Sequence, residues 1–176
     1  MAVVLVTGFG PFPGVADNAS GRLATLVDGA HFGSWQVAGR VVETSWQRAW
    51  PALQAAVEAT RPQALVMFGV ASRPRVEIES VARNHAEPRP DCDGCLPTGT
   101  LLVDDGPAEL LTTLPAEGLS CSQSAGTYLC NALFYQAQLH LPQVPHRGFV
   151  HVPLEGLWVG MRCLGALLRR LEGRPG

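Results

Sequence analysis

The sequence contains no long apolar run. Its purely apolar stretches are short, such as Ala2-Val3-Val4-Leu5-Val6, where roughly 20 residues would be needed to span a bilayer, so a transmembrane helix is not expected. The N-terminus lacks the basic start and apolar core of a signal peptide, and a cytoplasmic location is expected. Charge is scarce too. Only 16% of residues are charged and the formal net charge is -2, which gives no electrostatic reason to expect nucleic acid or an anionic membrane surface as a partner. There are only five cysteines, an odd number without an export signal, a pattern that suits a reducing compartment better than a disulfide framework. Repeats and low-complexity tracts are absent as well.

What is present is a compact apolar sequence. With 47% apolar residues in 176, the chain is long enough for one well-cored domain over 1–176, and two would each approach the lower size limit. Short β-branched runs alternate with longer amphipathic ones, which predicts an α/β protein with a mainly parallel sheet. Strands are expected at Ala2 to Thr7, Trp35 to Glu43, Ala64 to Gly69, Arg75 to Arg83 and Gly148 to Val152. The run "ALVMFG" at 64–69 has no polar alternation and reads as a central strand buried on both faces. Helices are expected at Ser20 to Val27, capped by Asn18 or Ser20, at Trp50 to Thr60 with Pro51 in its first turn, and at Ala125 to His140. A last helix carries Leu157, Met161, Leu164, Leu168 and Leu171 as its stripe. Residues 85 to 107, rich in Pro, Gly and Asp, form a long excursion of the kind that is commonly functional or mobile.

After the first strand the chain reads Val6-Thr7-Gly8-Phe9-Gly10-Pro11-Phe12-Pro13-Gly14. A dinucleotide fingerprint would need G-x-G-x-x-G opening a helix. Here the third glycine comes one place late, two prolines remove amides, and two phenylalanines stand where small residues belong. The turn is therefore not a phosphate loop.

Several residues carry chemistry, each with a plainer alternative. Cys130, in "SAGTYLCNALFY", lies near the start of a helix whose free amides and dipole favour a thiolate, but free cysteines are also common core residues. His151, in "RGFVHVP", falls at a strand end, where ligands gather in α/β sheets, or is structural. Glu77 and Glu79 share one strand face and are either the solvated side of an edge strand or a source of an orienting acid. Arg89 reads as a surface charge. Cys92 and Cys95 form a C-x-x-C, but no second pair or spaced histidines follow, so no metal site is predicted.

Four blocks then resemble one family in order. "TGFGPFPG" followed by Asn18, "IESVARN", "SAGTYLCN" and "GFVHVP" span about residues 3 to 153 and are similar to the motifs of pyroglutamyl peptidase I, a family of cysteine peptidases. The resemblance implies a single three-layer α/β/α sandwich with a mixed, mainly parallel sheet. It implies Cys130 as nucleophile, His151 as base and Glu79, rather than Glu77, as third member. Arg89 matches an arginine close to the active site, and Phe9, Phe12 and Asn18 match the substrate-binding opening loop. The implied reaction removes an N-terminal 5-oxoproline from a small peptide without cofactor or metal, in a family that is usually tetrameric, so a homo-oligomer is an open expectation. The sequence departs from the family pattern by being shortened between about 114 and 124 and again after 153. Asn18-Ala19 replaces the usual N-P, and Val70-Ala71-Ser72-Arg73 replaces a glycine-rich turn. These departures leave two alternatives: a non-catalytic binding or assembly relative, and an amidase acting on another small lactam or acyl amide.

Overall fold

In the computed structural model, which describes residues 1–172, the opening apolar run extends two residues further than its β-branched core, as strand β1 (Ala2–Phe9). The chain continues through α1 (Ala19–Val27), β2 (His31–Phe32), β3 (Trp35–Val42), α2 (Ala49–Thr60), β4 (Ala64–Ala71) and the short strands β5 (Glu77–Glu79) and β6 (Val81–Arg83). Then come β7 (Glu109–Leu111), β8 (Cys121–Ser122), α3 (Leu129–His140), β9 (His146–Pro153) and α4 (Leu157–Glu172). Seven strands form one sheet in the order β2-β3-β1-β4-β9-β5-β8, and β6 pairs with β7 outside it. β3, β1, β4 and β9 are mutually parallel, whereas β2 and β5 run antiparallel to their neighbours β3 and β9. The expected mixed, mainly parallel sheet is present.

Alternation along the central strands sorts the core into two layers. Val4, Val6, Val66, Phe68, Val150 and Val152 pack with Leu23 of α1 and Leu164 and Leu168 of α4 on one face. Leu5, Leu65, Met67 and Phe149 pack with Leu53 of α2 and Leu133 and Phe134 of α3 on the other. A fully buried leucine or phenylalanine contributes about 1.5–3 kcal/mol relative to exposure, so both faces must be covered. The result is the three-layer sandwich.

Two predicted elements need correction. The single strand expected from Arg75 to Arg83 breaks at Ser80, whose N–H and hydroxyl both donate to Ser122 O while its carbonyl accepts from Thr112 N. Beyond that point the chain leaves the large sheet to pair with β7. The helix expected from Ala125 begins instead at Leu129, because Gly126 takes a left-handed φ of +78° and Tyr128 is extended. Ala125 is buried, but it lies in a loop. In the segment between 114 and 124, the two-residue strand β8 pairs parallel with β5 at the sheet edge. Among the described residues no helix is long and apolar enough to cross a membrane.

Candidate active site

The β9 strand carries His151 near its carboxyl end, placed opposite Gly69 of β4 on one side and Glu77 of β5 on the other. Glu79, two residues along β5, is fully buried, with Oε1 at 2.6 Å from His151 Nδ1. Glu79 is therefore not part of a solvated edge. With Nδ1–H donating to the carboxylate, Nε2 is the ring atom left to exchange a proton. Burial alone would lower the basicity of His151, but the negative charge and hydrogen bond of the Cys130 sulfur, joined by those of Glu79, push its pKa up to about 9.

Cys130 is the second residue of α3, so its backbone N–H is among the first-turn donors that have no partner within the helix. Its sulfur occupies space that only a glycine leaves open. A Cβ built on Gly69 would lie 2.8 Å from Cys130 Sγ and 2.8 Å from Phe149 Cζ. Phe149 is itself fixed, packed at ring-centroid distances of 6.4 Å from Phe9, 6.2 Å from Phe134 and 5.0 Å from His151. Asn131, next to the nucleophile candidate, is buried and ties α3 to the next loop by accepting from Arg83 N and donating to Arg83 O and His85 O.

The opening turn stands over the same end of the sheet. Gly8 allows α1 to begin directly against β1, since a Cβ there would meet Ser20 O at 1.9 Å. Asn18 caps α1: its Oδ1 accepts from Ser20 N and Ser20 Oγ, and its Nδ2 donates to Gly10 O. It thus fastens the turn from beneath. Phe12 and Val15 exchange backbone hydrogen bonds to close the loop, and the Phe12 ring packs 6.4 Å from Tyr128. Phe9 belongs to the core at 3% exposure, yet it reaches the floor of a cleft of about 560 Å³. Phe12, Tyr128, Arg89, Cys130 and His151 line that cleft together. A volume of this size is usual for a small-molecule site.

The 85–107 excursion brings Arg89 to the cleft, its guanidinium 4.5 Å above the Tyr128 ring. It is held there by Trp46, whose Nε1 donates to Arg89 O, and by the buried Asp91, which accepts from Trp46, Asp93 and Cys95 amides. Burial opposes ionisation of Asp91, but these donors prevail and hold its carboxyl below the ordinary range. Cys92 and Cys95 flank the turn that Asp91 closes, and both are free thiols.

Sequence reasoning missed Arg73. Its Nη1 donates to Glu77 Oε2 at 2.9 Å and to Glu79 Oε1 at 2.8 Å, and its Nη2 donates to Ser124 O at 2.6 Å. The only signal was the charge order of one arginine followed by glutamates four and six residues later, which by itself reads as ordinary surface pairing.

A thiol on a helix N-terminus, a buried imidazole and a fully buried carboxylate at the carboxyl end of a parallel sheet define the chemical class of a cysteine hydrolase site. A profile of the pyroglutamyl peptidase family matches residues 2–156, and the chain belongs to that family. It is 34% identical over 169 residues to a pyrrolidone-carboxylate peptidase of Bacillus cereus strain Q1, covering 87% of this chain and 79% of the relative. Its similarity to the enzyme of that name from Klebsiella pneumoniae strain 342 is 35% over 169 residues, covering 87% and 78%. Among solved structures, the pyrrolidone carboxyl peptidase from Thermococcus litoralis superimposes with a TM-score of 0.87 at 28% identity, covering 98% of this chain and 96% of the other. Bacillus amyloliquefaciens pyroglutamyl peptidase I gives 0.78 at 32% identity, covering 87% and 82%.

Proposed function

We propose that the protein hydrolyses the bond after an N-terminal pyroglutamyl residue, with Cys130 as nucleophile, His151 as proton carrier and Glu79 as the acid that orients it. The observation that supports this reading best is the 2.6 Å contact from His151 Nδ1 to Glu79 Oε1, on a ring that lines one cleft with Cys130. His151, its basicity raised by its neighbours, takes the thiol proton from Cys130. The thiolate attacks the carbonyl carbon joining the lactam to the next residue, and the carbonyl oxygen becomes an oxyanion. The Cys130 backbone N–H is one donor to it, and Arg89, at the cleft wall, is the second candidate. His151 then gives its proton to the leaving amine, and the ring next accepts a proton from the water that releases pyroglutamate from the thioester.

The lactam suits the cleft because it is flat, uncharged and without a free amine. Phe9 and Phe12 offer it an apolar wall, and the ammonium of an ordinary N-terminus would lose hydration there without a replacement. Purified protein under reducing conditions is expected to release a fluorescent amine from a pyroglutamyl amide, and about a hundredfold more slowly or not at all from the prolyl amide. No release from the pyroglutamyl amide by folded protein would overturn the substrate, and equal rates on both would point to a less selective amidase.

The pH dependence follows from the same ring. Above its midpoint His151 has no proton to give the leaving amine, so kcat/KM should stay level through neutral pH and fall on the alkaline side around pH 9. A fall centred near the unperturbed histidine value of 6.5 would contradict the paired arrangement.

A further inference from the structure

We propose that Arg73 is a positioning residue of this site, holding the Glu79 carboxylate for His151, offsetting part of its charge, and tying it to the loop that leads into Cys130. The inference rests on the peptidase reading for its purpose, but its geometry is independent of the substrate.

Glu79 uses one oxygen for everything. Oε1 accepts from both His151 Nδ1 at 2.6 Å and Arg73 Nη1 at 2.8 Å, while Oε2 is buried and, among the described residues, accepts no hydrogen bond. A carboxylate normally spreads its donors over two oxygens. Here its orientation is decided by two donors competing for one. Loss of either leaves a fully buried charge held at a single point.

The guanidinium also bridges segments that must be aligned for catalysis. Nη1 joins Glu77 and Glu79 on β5, and Nη2 reaches Ser124 O, six residues before Cys130 in the loop entering α3. A planar fork can hold these three acceptors in one geometry, which a lysine ammonium cannot reproduce. Arg73 is sheltered on its own account, with 25% of its side chain exposed against 14% for Glu77 and 0% for Glu79.

The charges that face His151 come from every side. Cys130 approaches from α3, Glu79 and Glu77 from β5, Arg73 from the β4–β5 turn, and Glu87 and Arg89 from the loop at the cleft wall. Without Arg73, the fully buried Glu79 would act on the imidazolium with its ion pair gone, and Glu77 would keep only the exposed Arg75, at 3.5 Å. A proton carrier that basic releases its proton to the leaving amine less readily. Arg73 therefore keeps His151 within a useful range.

The test is a ring titration of His151 by NMR in the intact protein, alongside kcat and KM on the pyroglutamyl amide. Arg73→Met should raise the His151 midpoint by about one pH unit, the effect of removing a nearby like charge that also offsets Glu79. Arg73→Lys should keep the midpoint near that of the wild type and still lower kcat about tenfold or more, with KM little changed, because the fork is gone. Glu77→Gln, which removes a competing acceptor and one negative charge, should move the midpoint down and serves if Arg73→Met does not fold. An unchanged midpoint in both Arg73→Met and Glu77→Gln would overturn the charge role, and full kcat in Arg73→Lys would overturn the positioning role. The titration needs no substrate, so it decides this proposal even if the pyroglutamyl amide is not cleaved.

Discussion

Replacing Cys130 with serine is expected to lower kcat on a pyroglutamyl amide by about a thousandfold or more, the usual cost of removing the attacking atom from a triad that acts as a unit. The site is built around sulfur. A hydroxyl holds its proton far more tightly than a thiol and is the poorer nucleophile, and the sulfur's contribution to the raised basicity of the His151 ring would vanish with it. The fold should be little affected, because Cys130 is only partly buried and the space beside Gly69 accepts the smaller oxygen. Thermal unfolding within a few degrees of the wild type, with residual turnover at the thousandth level, is the expected pair of results. Turnover that survives the change would remove Cys130 from the role assigned to it.

Gly69→Ala should have the second largest effect, although Gly69 bears no side chain. The added methyl would need space already taken by Cys130 Sγ and by Phe149 Cζ, each at 2.8 Å. Phe149 is fully buried among three other rings and has nowhere to go, whereas the sulfur borders the cleft. The sulfur therefore yields. A displacement of about 1 Å costs roughly a hundredfold in rate when reacting atoms are prepositioned, and overpacking costs about 1–3 kcal/mol of stability. Steady-state kinetics and urea unfolding on one preparation check both, and kcat within twofold of the wild type would show that the sulfur has room the structure does not indicate.

How far the sequence anticipates this arrangement depends on the kind of signal each part leaves. The central strands were legible because burial on both faces of a parallel sheet demands unbroken apolar runs, as at 64–69. The cap of α1 was legible as Asn18 or Ser20, because a cap is a local hydrogen bond between near neighbours, and the structure selects Asn18. The start of α3 was not, because Ala125 is buried like a helical stripe residue while the backbone at Gly126 is left-handed. The break at Ser80 is written in its partners Ser122 and Thr112, which no window around residue 80 contains. Strands of two or three residues, such as β2, β7 and β8, are too short to express a period.

Within the site, Cys130, His151 and Glu79 were singled out by residue type and by family resemblance; Cys130 and His151 line one cleft, and Glu79 lies 2.6 Å from the His151 ring. Phe9 shows how two readings can both hold, since it packs in the core and still meets the cleft. Asn18 lines the cleft too, but its oxygen is already used by Ser20, so its contribution runs through the shape of the opening turn. Arg73 and Asp91 stayed hidden because their importance lies in what they hold. Each is a polar residue in a turn, and only the tertiary structure reveals that one grips Glu79 and the other anchors the segment carrying Arg89.

The place of β9 in the sheet has a consequence for the life of the polypeptide. Among the described strands it is made last, yet it inserts between β4 and β5, and the contact from Glu79 to His151 closes over 72 residues of chain. Contacts of such long range form late in folding. Until β9 is seated, the cleft that holds Cys130 lacks both His151 and the order that Phe149 gives its surroundings. A nascent or partly unfolded chain thus carries Cys130 outside a formed cleft, and the capacity to cut peptides arises only together with the completed sheet.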